Sequence, residues 1–233
     1  GDALGGIVRE LKNVKYVKEI VVTLGPANEE DFRHAQQFFS ALPQKTSIIW
    51  NSGPRLTELY ESIESEGLPI GESGKGRSAW MAYGYILSKL DFHVIALHDC
   101  DITTYDRGLL ARLCYPVANP SLDYDFCKGF YSRVTDRLHG RATRLLVTPL
   151  IRSIQRIIGY HPLLAFFDSF RYSLAGEFAM DIDMARVNRI PGDWGLEVGV
   201  LAEVYRNTSL RRVCQVDIAQ NYEHKHQALS EED

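Results

Sequence analysis

The first hundred residues switch repeatedly between two hydrophobic periods. Lys18–Leu24 (KEIVVTL) is a β-branched apolar run stopped by Gly25-Pro26, the pattern of a buried strand. From Asn28 the period lengthens, and Phe32, Ala35, Phe38, Phe39 and Leu42 share one helical face. Asn28 suits the N-cap, and Glu29, Glu30 and Asp31 suit the positive end of the helix dipole. Thr46–Trp50 (TSIIW) predicts a second strand, and Leu56, Leu59, Tyr60 and Ile63 mark a second helix. A glycine-rich stretch then leads into a helix over Ser78–Leu90, and Phe92–His98 (FHVIALH) predicts a third strand. This β-α-β-α-α-β order argues for an α/β fold: a mostly parallel central sheet with helices on both faces. The second half is less regular. Asp125–Arg133 predicts a strand, Ala142–Ile158 a helix with a break near Pro149, and Gly195–Arg206 a helix with Leu196, Val200, Leu201 and Val204 inward. Arg212–Gln220 alternates like a half-exposed strand.

Composition narrows the function classes. The chain has 233 residues, of which 45% are hydrophobic and 24% charged, which excludes a disordered chain, a collagen-like repeat and a coiled coil. One domain over residues 1–233 is expected. The net charge of -4 argues against an electrostatic nucleic-acid binder. Four scattered cysteines form no disulfide framework and fit a reducing compartment. The chain starts at Gly1 and shows no signal peptide with a cleavage site, so a cytoplasmic location is expected. No membrane association is expected either. The most apolar stretch, Leu145 to Phe167, is interrupted by Arg152, Arg156 and His161 and carries Pro149 and Pro162. Leu163, Phe166 and Phe167 are read as core, with a homodimer face as the other possibility.

Polar clusters sit where each predicted strand ends, and in open α/β sheets ligands bind beyond the carboxyl ends of the strands. Asp99 and Asp101 follow an apolar strand two residues apart, so an extended chain points both carboxylates one way. A divalent cation relieves their repulsion, whereas the bland reading is a polar strand end with capping aspartates. In Gly74-Lys75-Gly76-Arg77-Ser78 the glycines let backbone N–H groups approach an anion, and Lys75 suits a diphosphate. The spacing is not that of a Walker A loop; a solvated loop is the other reading. Gly140-Arg141-Ala142-Thr143 opens a helix, with Arg141 suited to grip a phosphate or carboxylate, or to lie on the surface. Glu177, amid apolar and glycine neighbours, is either a buried acceptor or a substrate-facing group. Glu197, in the first turn of a helix, is a second such acid, with stabilisation of the dipole as the bland alternative. His224 and His226 are two apart, and an imidazole there suits Mn²⁺ better than Mg²⁺.

Six short motifs then occur in a telling order: Pro26-Ala27-Asn28-Glu29-Glu30, Gly74-Lys75-Gly76, Asp99-Cys100-Asp101, Gly140-Arg141-Ala142-Thr143, Ala175-Gly176-Glu177 and Glu223-His224. In this order the chain resembles the glucosyl-3-phosphoglycerate synthases over roughly Val14 to Ala228. The resemblance implies a retaining glycosyltransferase of the Rossmann-like GT-A fold, with a donor-binding half over about 14–101 and an acceptor-binding half over about 102–228. It implies transfer of glucose from UDP-glucose to the 2-hydroxyl of 3-phosphoglycerate, with Mg²⁺ or Mn²⁺, toward a compatible-solute product. The similar mannosyl-3-phosphoglycerate synthases use GDP-mannose. Other readings are an inverting family 2 transferase and a non-catalytic nucleotide-sugar-binding domain. By resemblance, Pro26, Ala27, Asn28 and Glu29 hold the uridine, with Ser52 near the base and Lys75 on the diphosphate. Asp99, Asp101 and His224 hold the cation, and Cys100 belongs with the donor-binding residues. Gly140, Arg141, Ala142 and Thr143 hold the acceptor, and Glu177 faces the sugar. Glu177, Asp101 and Lys75 are then the catalytic set. The chain departs from the family's pattern at Cys100 (often Ala or Ser), Leu174 (Tyr), Tyr222 (a basic residue) and His226 (Asn).

Overall fold

A computed structural model of the chain describes residues 2–89, 91–132, 142–192, 195–219 and 222. Helix α1 (Asp2–Leu11) precedes β1 (Glu19–Leu24), α2 (Glu29–Phe39), β2 (Lys45–Trp50), α3 (Pro54–Ser65), α4 (Lys75–Leu87) and β3 (Val94–Leu97). Then come α5 (Arg107–Ala118), β4 (Phe126–Tyr131), a π-helical stretch (Ala142–Val147), α6 (Thr148–Ile158) and α7 (Pro162–Asp168). The chain continues through β5 (Phe178–Asp181), α8 (Ile182–Val187), α9 (Leu196–Asn207) and β6 (Val213–Ala219).

The strands form a parallel pair, β1-β2, and a four-stranded sheet in the order β3-β5-β4-β6. β4 and β6 are parallel, while β5 is antiparallel to both of its neighbours. β3, β4 and β6 therefore point the same way, and β5 is the reversed strand between them. That reversal was not legible in the sequence. β5 has only four residues (FAMD), the first three buried, so it shows no period-two pattern.

The pleat sorts the core into two layers. Val94, Ala96, Cys127 and Ala179 face α1, α2 and α5, where Ile7, Leu11, Phe39, Leu109 and Leu113 pack. Ile95, Phe126, Phe178 and Met180 face α4, α7, α8 and α9, against Tyr83, Phe166, Met184, Val200 and Leu201. Helices thus cover both faces, as expected. Leu163, Phe166 and Phe167 belong to this second layer and form no exposed face. Large apolar side chains are exposed instead at Leu145, Leu146, Leu150, Ile157, Ile158 and Tyr160, on and around α6.

Two boundaries differ from the sequence reading. α4 begins at Lys75, so Lys75 and Gly76 are its first turn rather than a loop before it. Pro149 does not break a helix. It stands in the first turn of α6, where a missing N–H costs nothing, and the chain before it winds as a π-helix. Among the described residues, no helix is long and apolar enough to cross a membrane.

Behind β1 and β2 lies a structural charge cluster. The Glu19 side chain is 3% exposed and accepts from Ser47 (2.6 Å), Tyr85 (2.8 Å) and Lys89 (2.9 Å), with Lys45 at 3.1 Å. Burial by itself would raise its pKa. The hydrogen bonds from Ser47, Lys89, Tyr85 and Lys45 outweigh burial and bring it down to about 2. Because the folded pKa lies below the unfolded one, this stabilisation is present above about pH 4.5 and is lost as pH falls toward 2. Glu19→Gln is expected to destabilise the chain by roughly 2–3 kcal/mol in urea titration at pH 7. The gap to the unmodified chain should shrink steadily below pH 4. An unchanged gap at pH 3 would show that Glu19 is not the group that titrates.

Candidate functional site

The site is built where β1, β2 and β3 end. Trp50, the last residue of β2, donates its indole N–H to the Ala27 carbonyl at 3.0 Å and to the Ser52 hydroxyl at 2.9 Å. Ser52 Oγ also accepts from the Ala27 N–H and donates to its carbonyl, both at 3.1 Å. The Trp50 ring stacks on Phe32 of α2 at 4.9 Å. The indole also leaves no room for a side chain at Gly53, where an added Cβ would lie 2.7 Å from the ring. Asn28 caps α2 reciprocally with Asp31, which fixes the turn after Pro26. Glu29 is exposed and pairs with Arg33 at 2.6 Å. Buried Asn51 joins the layers. Its Nδ2 donates to Leu24 O (3.1 Å) and Ser78 Oγ (3.0 Å), and its Oδ1 accepts from Tyr60 (2.9 Å).

A charged cluster lies beside this platform. Lys75 Nζ is 2.7 Å from Asp99 Oδ1, just past β3, and 2.9 Å from Glu197 Oε1, in the first turn of α9. Burial would lower the Lys75 pKa, but Asp99 and Glu197 hold it above the ordinary lysine range. Gly176 lies directly against this pair. A Cβ there would come within 2.7 Å of Lys75 Nζ and 2.9 Å of Asp99 Oδ2, so a larger residue would push the ends of these side chains aside. Asp101 is exposed, and Cys100 between the aspartates is exposed as well. Both aspartates lie beyond Leu97, the last residue of β3, so a bend in the chain sets their directions rather than the strand's pleat.

Below the cluster, Glu177 is fully buried and its Oε1 accepts from the Tyr222 hydroxyl. The Tyr222 ring stacks on Tyr131 at 3.7 Å. Lys128, in the middle of β4, is 1% exposed and donates to the Ala175 carbonyl at 2.6 Å.

Among the described residues, no three His, Cys, Asp or Glu side chains converge on one point. Asp99 and Asp101 nonetheless suit a hard divalent cation: two carboxylates at the open end of an apolar strand, one already drawn to a cation, the Lys75 ammonium.

No protein-family model matches the chain. Over 229 residues it is 50% identical to the glucosyl-3-phosphoglycerate synthase of Persephonella marina, covering 98% of this chain and 57% of that protein. Over 227 residues it is 39% identical to that of Methanococcoides burtonii, covering 96% of this chain and 55% of that protein. By sequence the chain is a homologue of the glucosyl-3-phosphoglycerate synthases. It spans a little over half the length of these curated relatives. The fold agrees. The glucosyl-3-phosphoglycerate synthase of Mycobacterium tuberculosis, solved with Mn²⁺, UDP-glucose and phosphoglyceric acid, superposes with a TM-score of 0.67 at 18% identity, covering 98% of this chain and 69% of that one. The mannosyl-3-phosphoglycerate synthase of Rubrobacter xylanophilus gives 0.68 at 21% identity, covering 98% and 64%. The architecture is the GT-A fold.

Set against the family pattern, the expected donor residues Pro26, Ala27, Asn28, Glu29 and Ser52 do come together, with Trp50 as the unforeseen residue that ties Ala27 to Ser52. Lys75 and Asp99 are in contact. Ala142 and Thr143 open the π-helical stretch. Gly140, Arg141 and His224 lie outside the described residues. Glu177, expected to face the sugar, lies in the interior. The side chain is turned inward onto Tyr222, and Glu197 is the carboxylate that reaches Lys75. Glu197 was legible in the sequence as a helix-start acid, but its partner 122 residues away was not. Lys128 was missed, although a lysine within the apolar strand FCKGFY is a signal in itself. Gly176→Ala should destabilise the chain by about 1–3 kcal/mol in urea titration, from overpacking. In a Lys75→Ala background that cost should fall by about 1 kcal/mol, the coupling expected of groups in contact. Strict additivity would refute the close approach.

Proposed function

We propose that the protein is a retaining glucosyltransferase that moves glucose from UDP-glucose to the 2-hydroxyl of 3-phosphoglycerate with the help of a divalent cation. The observation that carries this reading is the Lys75–Asp99–Glu197 cluster beside the Trp50–Ser52–Ala27 platform, at the strand ends of a GT-A fold. The relatives' names and the ligands in the Mycobacterium tuberculosis complex supply the donor and acceptor.

The platform formed by Pro26–Glu29 and Ser52 takes the uridine. Asp99 and Asp101, completed by His224, hold Mg²⁺ or Mn²⁺, which when bound supplies Lewis-acid stabilisation of the departing diphosphate. Lys75 carries a full positive charge in the cluster and stands where negative charge builds on the leaving group. Glu197 and Asp99 keep that ammonium aimed at the cleft. With retention, the acceptor attacks from the side the diphosphate leaves, and a diphosphate oxygen takes the hydroxyl proton. No strong carboxylate base is then needed, which agrees with an inward-turned Glu177. Gly140–Thr143 hold the acceptor, a role supported by the Thr143 hydroxyl. That oxygen is buried, and it has no hydrogen-bond partner among the described residues. Residues 14–101 then form the donor side and residues 102–228 the acceptor side. A cytoplasmic location follows from the cytosolic acceptor chemistry.

The test is sugar transfer to 3-phosphoglycerate from UDP-glucose or GDP-mannose, with Mg²⁺, Mn²⁺ or chelator, following nucleotide release and product anomer. UDP-glucose turnover that needs the cation and yields an α-linked product is expected. Asp101→Ala should lower kcat roughly 100-fold or more. Preference for GDP-mannose would move the donor assignment. Nucleotide binding without any turnover would leave only a nucleotide-sugar-binding domain.

A further inference from the structure

Lys128 has no part in the reading above, yet it is an ammonium sealed in the interior. The pleat of β4 puts it on the same face as Phe126, toward α9. Its Nζ lies 5.3 Å from the Phe178 ring centroid. Among the described residues, its hydrogen-bond acceptor is the Ala175 carbonyl. Burying a cation with so few acceptors costs stability, and well-packed apolar side chains are often better in such places. A position that served the fold alone would favour Met or Leu.

What the lysine does hold is the turn Ala175-Gly176-Glu177. Two adjacent residues of β4 grip that turn at its ends. Lys128 Nζ bonds the Ala175 carbonyl at 2.6 Å, and the Gly129 N–H bonds the Glu177 carbonyl at 2.9 Å. Gly176, between those anchors, is the residue pressed against Lys75 and Asp99. Gly129 is itself tight, since a Cβ there would meet the Glu177 Cβ at 3.1 Å. The height of the turn therefore sets how closely the Lys75–Asp99 pair can be seated.

We propose that Lys128 is a positioning residue for the transfer site, holding the Ala175–Glu177 turn at the height that seats Lys75 and Asp99 for the cation and the diphosphate. It acts through the turn and touches neither ligand. The surrounding charges agree. Burial pulls the Lys128 pKa down, while Glu197, Glu177 and Asp99 oppose that and Lys75 adds to it, leaving it at about 8. The proposal rests on the function stated above for its cation site and its activity readout, and an unmodified chain that binds no Mn²⁺ would overturn it.

The test compares the unmodified chain with Lys128→Met and Lys128→Leu. Three quantities are measured: melting temperature, Mn²⁺ affinity by electron paramagnetic resonance of the free ion, and steady-state kinetics at saturating Mn²⁺. The expected result is a melting temperature equal to or above that of the unmodified chain, with Mn²⁺ affinity lowered 10–100-fold, the range seen when an outer-shell partner is lost. kcat should fall while KM for UDP-glucose stays within threefold. A folded variant whose Mn²⁺ affinity changes less than tenfold would overturn the proposal. Loss of the folded state in both variants would overturn it too, because Lys128 would then serve the fold. Should the unmodified chain transfer no sugar, the proposed function fails, and the Mn²⁺ affinities still decide the role of Lys128.

Discussion

The Lys75 ammonium is the point on which the site depends. It is the first residue of α4, yet its two partners come from the end of β3 and from the start of α9, 122 residues away. One side chain therefore ties the start of α4 and the end of β3 to α9 in the second half of the chain. Either carboxylate alone would give a weak, partly exposed pair. Together they hold the lysine charged and fix its direction. Everything below the pair must then leave it room, which is why the turn beneath carries a glycine at residue 176 and why its flanks are gripped from β4.

The cluster mixes both signs of charge. Among the described residues, Asp99, Glu197 and Glu177 lie around two ammoniums, Lys75 and Lys128, with exposed Asp101 beside Asp99. Paired carboxylates at an open strand end favour a divalent cation and, with it, an anionic diphosphate. Lys75 is the accessible member, since nearly half of its side chain is exposed. Lys128 is the buried one. The two lysines divide the work: one is open to an incoming anion, and the other holds the turn beneath it.

Legibility followed the range of the interactions. The strands β1 and β2, the Asn28 cap and the helices they flank were readable because local period and capping chemistry determine them. The platform at the ends of β1 and β2 was half readable. Ala27 and Ser52 were named, but Trp50, whose indole bonds both, looked like the end of a strand. What stayed hidden was long-range. The reversed β5 has too few residues to show a period, and the Lys75–Glu197 pair and the Lys128–Ala175 bond join residues 122 and 47 positions apart. Glu177 stood between two readings in the sequence, a buried acceptor or a substrate contact, and the fold buries it with Tyr222 as a donor.

That use of Glu177 is tied to a departure in this chain. Where the family pattern has a basic residue, position 222 is a tyrosine, fully buried, stacked on Tyr131 and donating to Glu177. A basic side chain at 222 would meet Glu177 with a charge of its own. A phenol satisfies one carboxylate oxygen but brings no charge. Lys128 is the buried cation whose field is coupled to Glu177, and it lies one strand position from the backbone bond that fixes Glu177 in place. The tyrosine and the buried lysine are thus parts of one arrangement. The lysine holds the Ala175 end of the turn and Gly129 its Glu177 end, with Gly176 between them against Asp99 and Lys75.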